Sequence, residues 1–158
     1  MTEQKIKEDF SIFLRLVWKS LDLPTPTRAQ LAMARYLQHG GKRIQLQCFR
    51  GLGKSWVTAA FVLWNLFVDR DKKIMVVSAS KQRADDFSIF CQKVIIEVAW
   101  LNHLAPKDDD QRWSRVSFDV TGARPAQSPS VKSVGVTGQL TGSRADILIA
   151  DDIETPSN

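Results

Sequence analysis

Cys48-Phe49-Arg50-Gly51-Leu52-Gly53-Lys54-Ser55 follows an extended-type run, Ile44-Gln45-Leu46-Gln47, and leads into an apolar, helix-forming stretch from Trp56 to Val68. A sharp glycine turn between a strand and a helix converges backbone N–H groups on the positive end of that helix, the arrangement of a phosphate-binding P-loop. In that reading Lys54 reaches the β- and γ-phosphates of ATP, Arg50, Gly51, Leu52 and Gly53 wrap them, and the Ser55 hydroxyl ligates Mg²⁺. The pattern departs from G-x-x-x-x-G-K-[ST] at its first position, where Cys48 replaces glycine. Taken alone, the octet also fits a plain glycine turn ahead of a core helix.

A second stretch decides between the two. About a hundred residues downstream stands Asp146-Ile147-Leu148-Ile149-Ala150-Asp151-Asp152-Ile153-Glu154. Four successive apolar residues fit a strand buried on both faces of a parallel sheet, and the run stops on carboxylates at the edge where such sheets bind ligands. This is the Walker B pattern: Asp151 is placed on Mg²⁺ and Asp152 beside the attacking water. Glutamate is commoner in the second role, so Glu154 stands as the alternative base.

Composition bounds the remainder. The 158 residues suffice for one domain with a core, and 44% hydrophobic and 25% charged content are ordinary for a globular chain. No apolar run approaches the roughly 20 residues of a membrane span. Cys48 and Cys91 show no C-x-x-C spacing, so neither a disulfide framework nor a zinc site is indicated. A net charge of +5 suits a polyanionic partner, though a solvated basic surface gives the same balance.

The rest of the chain has a βαβ rhythm. Phe10, Phe13, Leu14, Val17 and Leu21 recur at helical spacing, which predicts one amphipathic helix over 4–21 with its stripe in the core. Thr27, after Leu23-Pro24-Thr25-Pro26, caps a predicted helix from Arg28 to Gln38. Strands are expected over 43–49, 73–78, 116–120 and 133–137, and helices over 54–68 and 81–98, the latter capped by Ser80. Trp56 and Trp64 share the helix after the glycine turn and read as core. The expected fold is α/β: a P-loop NTPase of the RecA-like class, a parallel sheet flanked by helices. Residues 1–42 form a helical lead-in and 43–158 the ATPase core. The chain ends seven residues past Asp151, so the core is expected to be cut short, with apolar surface exposed where further strands would pair.

Several blocks together carry a resemblance. Phe49 to Ser55, Val77-Ser78-Ala79-Ser80-Lys81, Ser128 to Gly135, Thr137 to Asp146 and Ala150-Asp151-Asp152 resemble, in order and spacing, the large terminase subunit of short-tailed, T7-type bacteriophages. The resemblance implies the N-terminal part of an ATPase motor that drives double-stranded DNA through a portal protein into a procapsid. It further implies a small terminase subunit as partner, a homo-oligomeric ring, action in the host cytoplasm, and a separate nuclease domain whose metal-binding acids lie outside this chain. The family's P-loops tolerate a small residue in place of the first glycine.

The resemblance also extends to single residues. An arginine inside the loop is a family feature, so Arg50 is a candidate for stabilising charge on the γ-phosphate, or simply for binding phosphate. Gln30, 24 residues before Lys54, resembles the adenine-reading glutamine of helicase-like ATPases, whose carboxamide pairs N6 and N7. Arg144 stands where a trans arginine finger would reach a neighbouring subunit's nucleotide; a local salt bridge is the alternative. Lys81 and Arg83 open the helix after the second strand, where related translocases meet DNA phosphates, or they form a solvated helix start. Trp113, between Arg112 and Arg115, is a weaker candidate for base stacking. Two other functions remain open to the sequence: a helicase-like ATPase, and a nucleotide-binding domain without turnover.

Overall fold

A computed structural model describes residues 2–153; Glu154 lies outside that range. Its elements run α1 (Glu3–Glu8), α2 (Phe10–Ser20), α3 (Arg28–His39), α4 (Lys54–Val68), β1 (Ile74–Ser78), α5 (Lys81–Glu97), β2 (Ser117–Phe118), β3 (Val131–Gly135) and β4 (Ile147–Asp151). A short 3-10 turn at Asn102–Leu104 follows α5.

β1 is buried along its whole length because it is flanked on both sides. It pairs in parallel with β3 and with β4, in the order β2-β3-β1-β4. The registers Ser78↔Gly135 and Ser78↔Asp151 align the carboxyl ends of all three parallel strands. β2 runs antiparallel to β3, so the sheet is mixed, not wholly parallel as expected. Its two residues follow a loop that already returns on itself, with Ser114 N–H bonded to the Ser117 carbonyl.

Helices fill out the core. Phe10 and Phe13 of α2 are fully buried and meet Phe61 and Phe67 of α4 at ring-centroid distances of 5.3 and 5.7 Å. Trp100 closes edge-on over Phe13 at 5.3 Å. Such tilted and edge-on pairs suit the ring quadrupoles and add to the burial of large apolar areas. The stripe read from the sequence is thus core, but the helix predicted over 4–21 is two. Asp9 interrupts it in an extended conformation and caps α2 by accepting a hydrogen bond from the Ser11 N–H.

Three other expectations need correction. Residues 44–49, within the strand expected over 43–49, alternate in burial, with Leu46 and Cys48 against the core, yet no ladder pairs them among the described residues and no strand forms. A strand needs a neighbour as well as a pattern. β4, expected to be buried on both faces, has only β1 beside it among the described residues and alternates between half-buried and exposed, with Leu148 66% exposed. Trp56 is 41% exposed, its ring resting edge-on against Phe90 and Trp18 at the rim of the core. Trp64 is partly buried and donates its indole N–H to the Ile6 carbonyl.

Candidate functional site

The turn before α4 is built on two left-handed glycines, Gly51 (φ 89°) and Gly53 (φ 79°), conformations that cost a residue bearing Cβ about 1–2 kcal/mol. Gly53 is the N-cap of α4 and offers no side-chain cap. The first amides of a 15-residue helix are therefore left without a side-chain acceptor. The turn sits at the carboxyl edge of the sheet, for Lys54 and Ser55 meet the end of β4 there.

Lys54 Nζ lies 2.6 Å from Asp152 Oδ1 and 3.5 Å from Asp151 Oδ1. Ser55 Oγ lies 3.5 Å from Asp151 Oδ2. Residues 96 and 98 positions apart are thus brought into one cluster. The two carboxylates differ in setting. Asp151 closes the strand and its side chain is 13% exposed, whereas that of Asp152, just past it in a left-handed conformation (φ 46°), is 60% exposed. Aspartate is among the few non-glycine residues that adopt this region readily.

The charges answer one another. The hydrogen bond from Lys54 is the main cause that holds the Asp152 carboxyl below its usual 3.8; partial burial opposes it, and the charges of Lys54, Arg83 and Arg50 add to it. For Lys54, burial alone would lower the ammonium, but the Asp152 hydrogen bond and the charges of both aspartates outweigh it, leaving the group above its usual 10.5. Both groups are charged across the neutral range.

Gln30 reaches the turn from α3. Thr27 and Gln30 form a reciprocal capping box: Gln30 N–H donates to Thr27 Oγ1 (3.2 Å), and Thr27 N–H donates to Gln30 Oε1 (2.9 Å). Gln30 Nε2 also donates to the carbonyl of Leu52 at 2.8 Å. Thr27 caps α3 as expected, and the box that it forms with Gln30 has the signature T-x-x-Q, which the expectation of a simple cap leaves out. Cys48 faces the same helix, its Sγ 3.8 Å from Met33 Sδ.

The other candidates divide. Arg50 is exposed on the turn and, like Arg83 near the start of α5, is close enough for its charge to act on Asp152. Ser80 caps α5 as expected, accepting from the Arg83 N–H. Lys81 is engaged by Asp85 at 2.8 Å. Arg144 sits on an exposed loop with its backbone N–H on Ser128 Oγ; among the described residues no ion pair engages its side chain. Trp113 packs edge-on against Phe118 at 5.3 Å, and Arg112 is taken up by Asp119.

For a hard divalent cation the cluster supplies the right oxygen chemistry. A hydroxyl and a carboxylate face each other across 3.5 Å at Ser55 and Asp151, the sparse protein contribution that suits Mg²⁺ when phosphate and water complete its shell. The described residues hold no group of three or more His, Cys, Asp or Glu side chains fit to bind a metal alone. Nor is any described helix long and apolar enough to cross a membrane.

No family model matches the chain. The terminase large subunit of Enterobacteria phage T3 is 56% identical over 155 residues, which cover 98% of this chain and 26% of that protein. This chain therefore spans about a quarter of its relative's length. Over nearly its whole length the chain is similar to one part of a terminase large subunit, the kind of protein that its sequence blocks resemble.

Proposed function

We propose that this chain is the nucleotide-binding part of a P-loop ATPase, a RecA-like motor module that hydrolyses ATP to drive double-stranded DNA into a procapsid. The observation that carries the reading is the convergence of Lys54 and Ser55, at an uncapped helix start, on Asp151 and Asp152 at the end of β4. The kinship with a terminase large subunit supports the packaging role.

The residues divide the work by position. Lys54 and the amides of 51–55 bind the β- and γ-phosphates, the ammonium exchanging its carboxylate partner for phosphate oxygen. Ser55 and the more enclosed Asp151 hold Mg²⁺, which supplies charge neutralisation on the phosphates when bound. Asp152, released from Lys54 and open to solvent, orients the attacking water and takes its proton; Glu154 is the alternative for that step. Arg50 lies on the turn to meet charge developing on the γ-phosphate. Arg144 is a candidate to act on a neighbouring subunit's site in a homo-oligomeric ring. Lys81 and Arg83 are candidates for DNA phosphates, Arg83 with its side chain the freer of the two to turn outward. The portal protein and a small terminase subunit are the proposed partners, and the host cytoplasm the place of action.

Nucleotide binding and turnover test this directly. A fluorescent ATP analogue is expected to bind the 158-residue chain in the presence of Mg²⁺, while phosphate release is slow, since loose preorganisation harms transition-state contacts before ground-state ones. Lys54→Ala is expected to lower binding and, in the longer subunit, to cut turnover by a hundredfold or more, on the order of several kcal/mol. Its circular dichroism should be unchanged. Undiminished binding by a folded Lys54→Ala protein would overturn the assignment.

A further inference from the structure

Gln30 spends its side chain inside the protein. The carboxamide has one acceptor oxygen and one donor nitrogen, and both ends are engaged: Oε1 accepts from the Thr27 N–H and Nε2 donates to the Leu52 carbonyl. Leu52 lies between the two left-handed glycines of the turn. The contact is close-fitting on the next residue as well, for a Cβ at Gly53 would come within 3.1 Å of Gln30 Nε2. The Thr27 N–H holds the carboxamide oxygen from the other side, so the side chain is fixed within the capping box of α3 before the loop is reached.

We infer that Gln30 is a positioning residue for the phosphate-binding turn, bracing Leu52 so that the amides of Gly53, Lys54 and Ser55 stay aimed at phosphate. This rests on the phosphate-binding reading and deepens it. Two left-handed glycines make a turn with much conformational freedom to lose. A side-chain hydrogen bond to the carbonyl between them, from a residue already immobilised by a helix cap, removes part of that freedom before ligand arrives. Preorganisation of this kind favours anion binding whatever base the nucleotide carries. With both bonds in place, adenine readout by the same carboxamide would be left with only its second N–H and second lone pair.

Gln30→Glu separates the roles. Glutamate at this position keeps the capping-box acceptor for the Thr27 N–H, but it has no donor for the Leu52 carbonyl. Thr27→Ala is the converse, removing the hydroxyl cap while Gln30 keeps both its bonds. Binding of inorganic tripolyphosphate, ATP and GTP would be measured for both variants, with thermal stability and amide exchange over residues 52–55. For Gln30→Glu, all three ligands should weaken by the same factor, about tenfold, and exchange over the turn should quicken. For Thr27→Ala, the melting temperature should fall with ligand affinity held. A loss confined to ATP would assign the side chain to the base and overturn the inference. So would unchanged tripolyphosphate binding and unchanged exchange in Gln30→Glu. If the unsubstituted chain itself ignores tripolyphosphate as Lys54→Ala does, the phosphate reading falls and takes the ligand part of the inference with it; the exchange comparison then still decides whether Gln30 holds the turn.

Discussion

Lys54 Nζ stands 2.6 Å from Asp152 Oδ1, so the ammonium proposed to grip phosphate is already gripped by the carboxylate proposed to activate water. The two groups neutralise each other without ligand, and phosphate must take the lysine away before the aspartate is free. One contact thereby makes a competition out of binding and readiness.

Asp152→Asn follows from this. Asparagine tolerates the left-handed φ of 46° as well as aspartate does, so the change isolates charge. ATP should bind as well as before or a few-fold more tightly, since its rival for Lys54 is weakened. Hydrolysis in the longer subunit should slow by roughly a hundredfold or more, the usual contribution of a general base. Phosphate release measured beside analogue binding checks both halves. If Asp152→Asn turns over normally and Glu154→Gln does not, the base is Glu154.

The same pair predicts a pH response in the ligand-free chain. Asp152 is held below 3.8, so what it adds to stability is present above that value and disappears as pH falls through its lowered pKa. Lys54 is held above 10.5, so what it adds is present below that value and disappears as pH rises through its raised pKa. The difference in urea midpoint between the unsubstituted chain and Asp152→Asn should thus be level through neutrality and shrink in acid below 3.8 and in base above 10.5. Because Asp152 is largely exposed, the difference should be small and salt-sensitive. A midpoint difference that persists unchanged in strong acid would contradict it.

The two thiols should react unequally. Cys91 is fully buried, and burial drives its thiol far above the ordinary range. Cys48 is half-buried at the start of the glycine turn. A thiol reagent should label Cys48 readily and Cys91 only on unfolding, as peptide mapping would reveal. Mg²⁺-ATP should slow the labelling of Cys48 if phosphate orders the turn.

Phe13→Ala tests the helical core. The ring is fully buried between Phe10, Phe67 and Trp100, so its removal should cost about 3–5 kcal/mol of stability, as for other buried aromatic truncations. Denaturant unfolding measures it, and a loss below about 1 kcal/mol would place the ring outside the load of the core.

What could be read from the sequence divides along physical lines. α4 begins at Lys54 and ends at Val68 as predicted, because a glycine stop and a mostly apolar stretch are local signals. β1 and α5 agree to within one residue at each end for the same reason. The break at Asp9 was hidden because Ile6 and Phe10 keep helical spacing across it; only the aspartate's capping habit betrays it. Residues 44–49 and β4 were misjudged because a strand's burial depends on neighbours, which periodicity in one segment does not contain. Lys54, Ser55, Asp151 and Asp152 are singled out by their motifs in sequence, and the structure brings them together. The bond from Gln30 to Leu52 was not legible, since it depends on where α3 lies against the turn.

β4 has consequences for handling the protein. Among the described residues no strand pairs its outer side along Ile147-Leu148-Ile149-Ala150, a short β-prone run without charge or proline, and Leu148 points into solvent. Such an edge is a template on which further chains can add as strands. Concentrated solutions should accordingly scatter more light with time. A gatekeeper charge at that position, Leu148→Lys, should suppress the aggregation while leaving the ligand groups at the far end of the strand untouched.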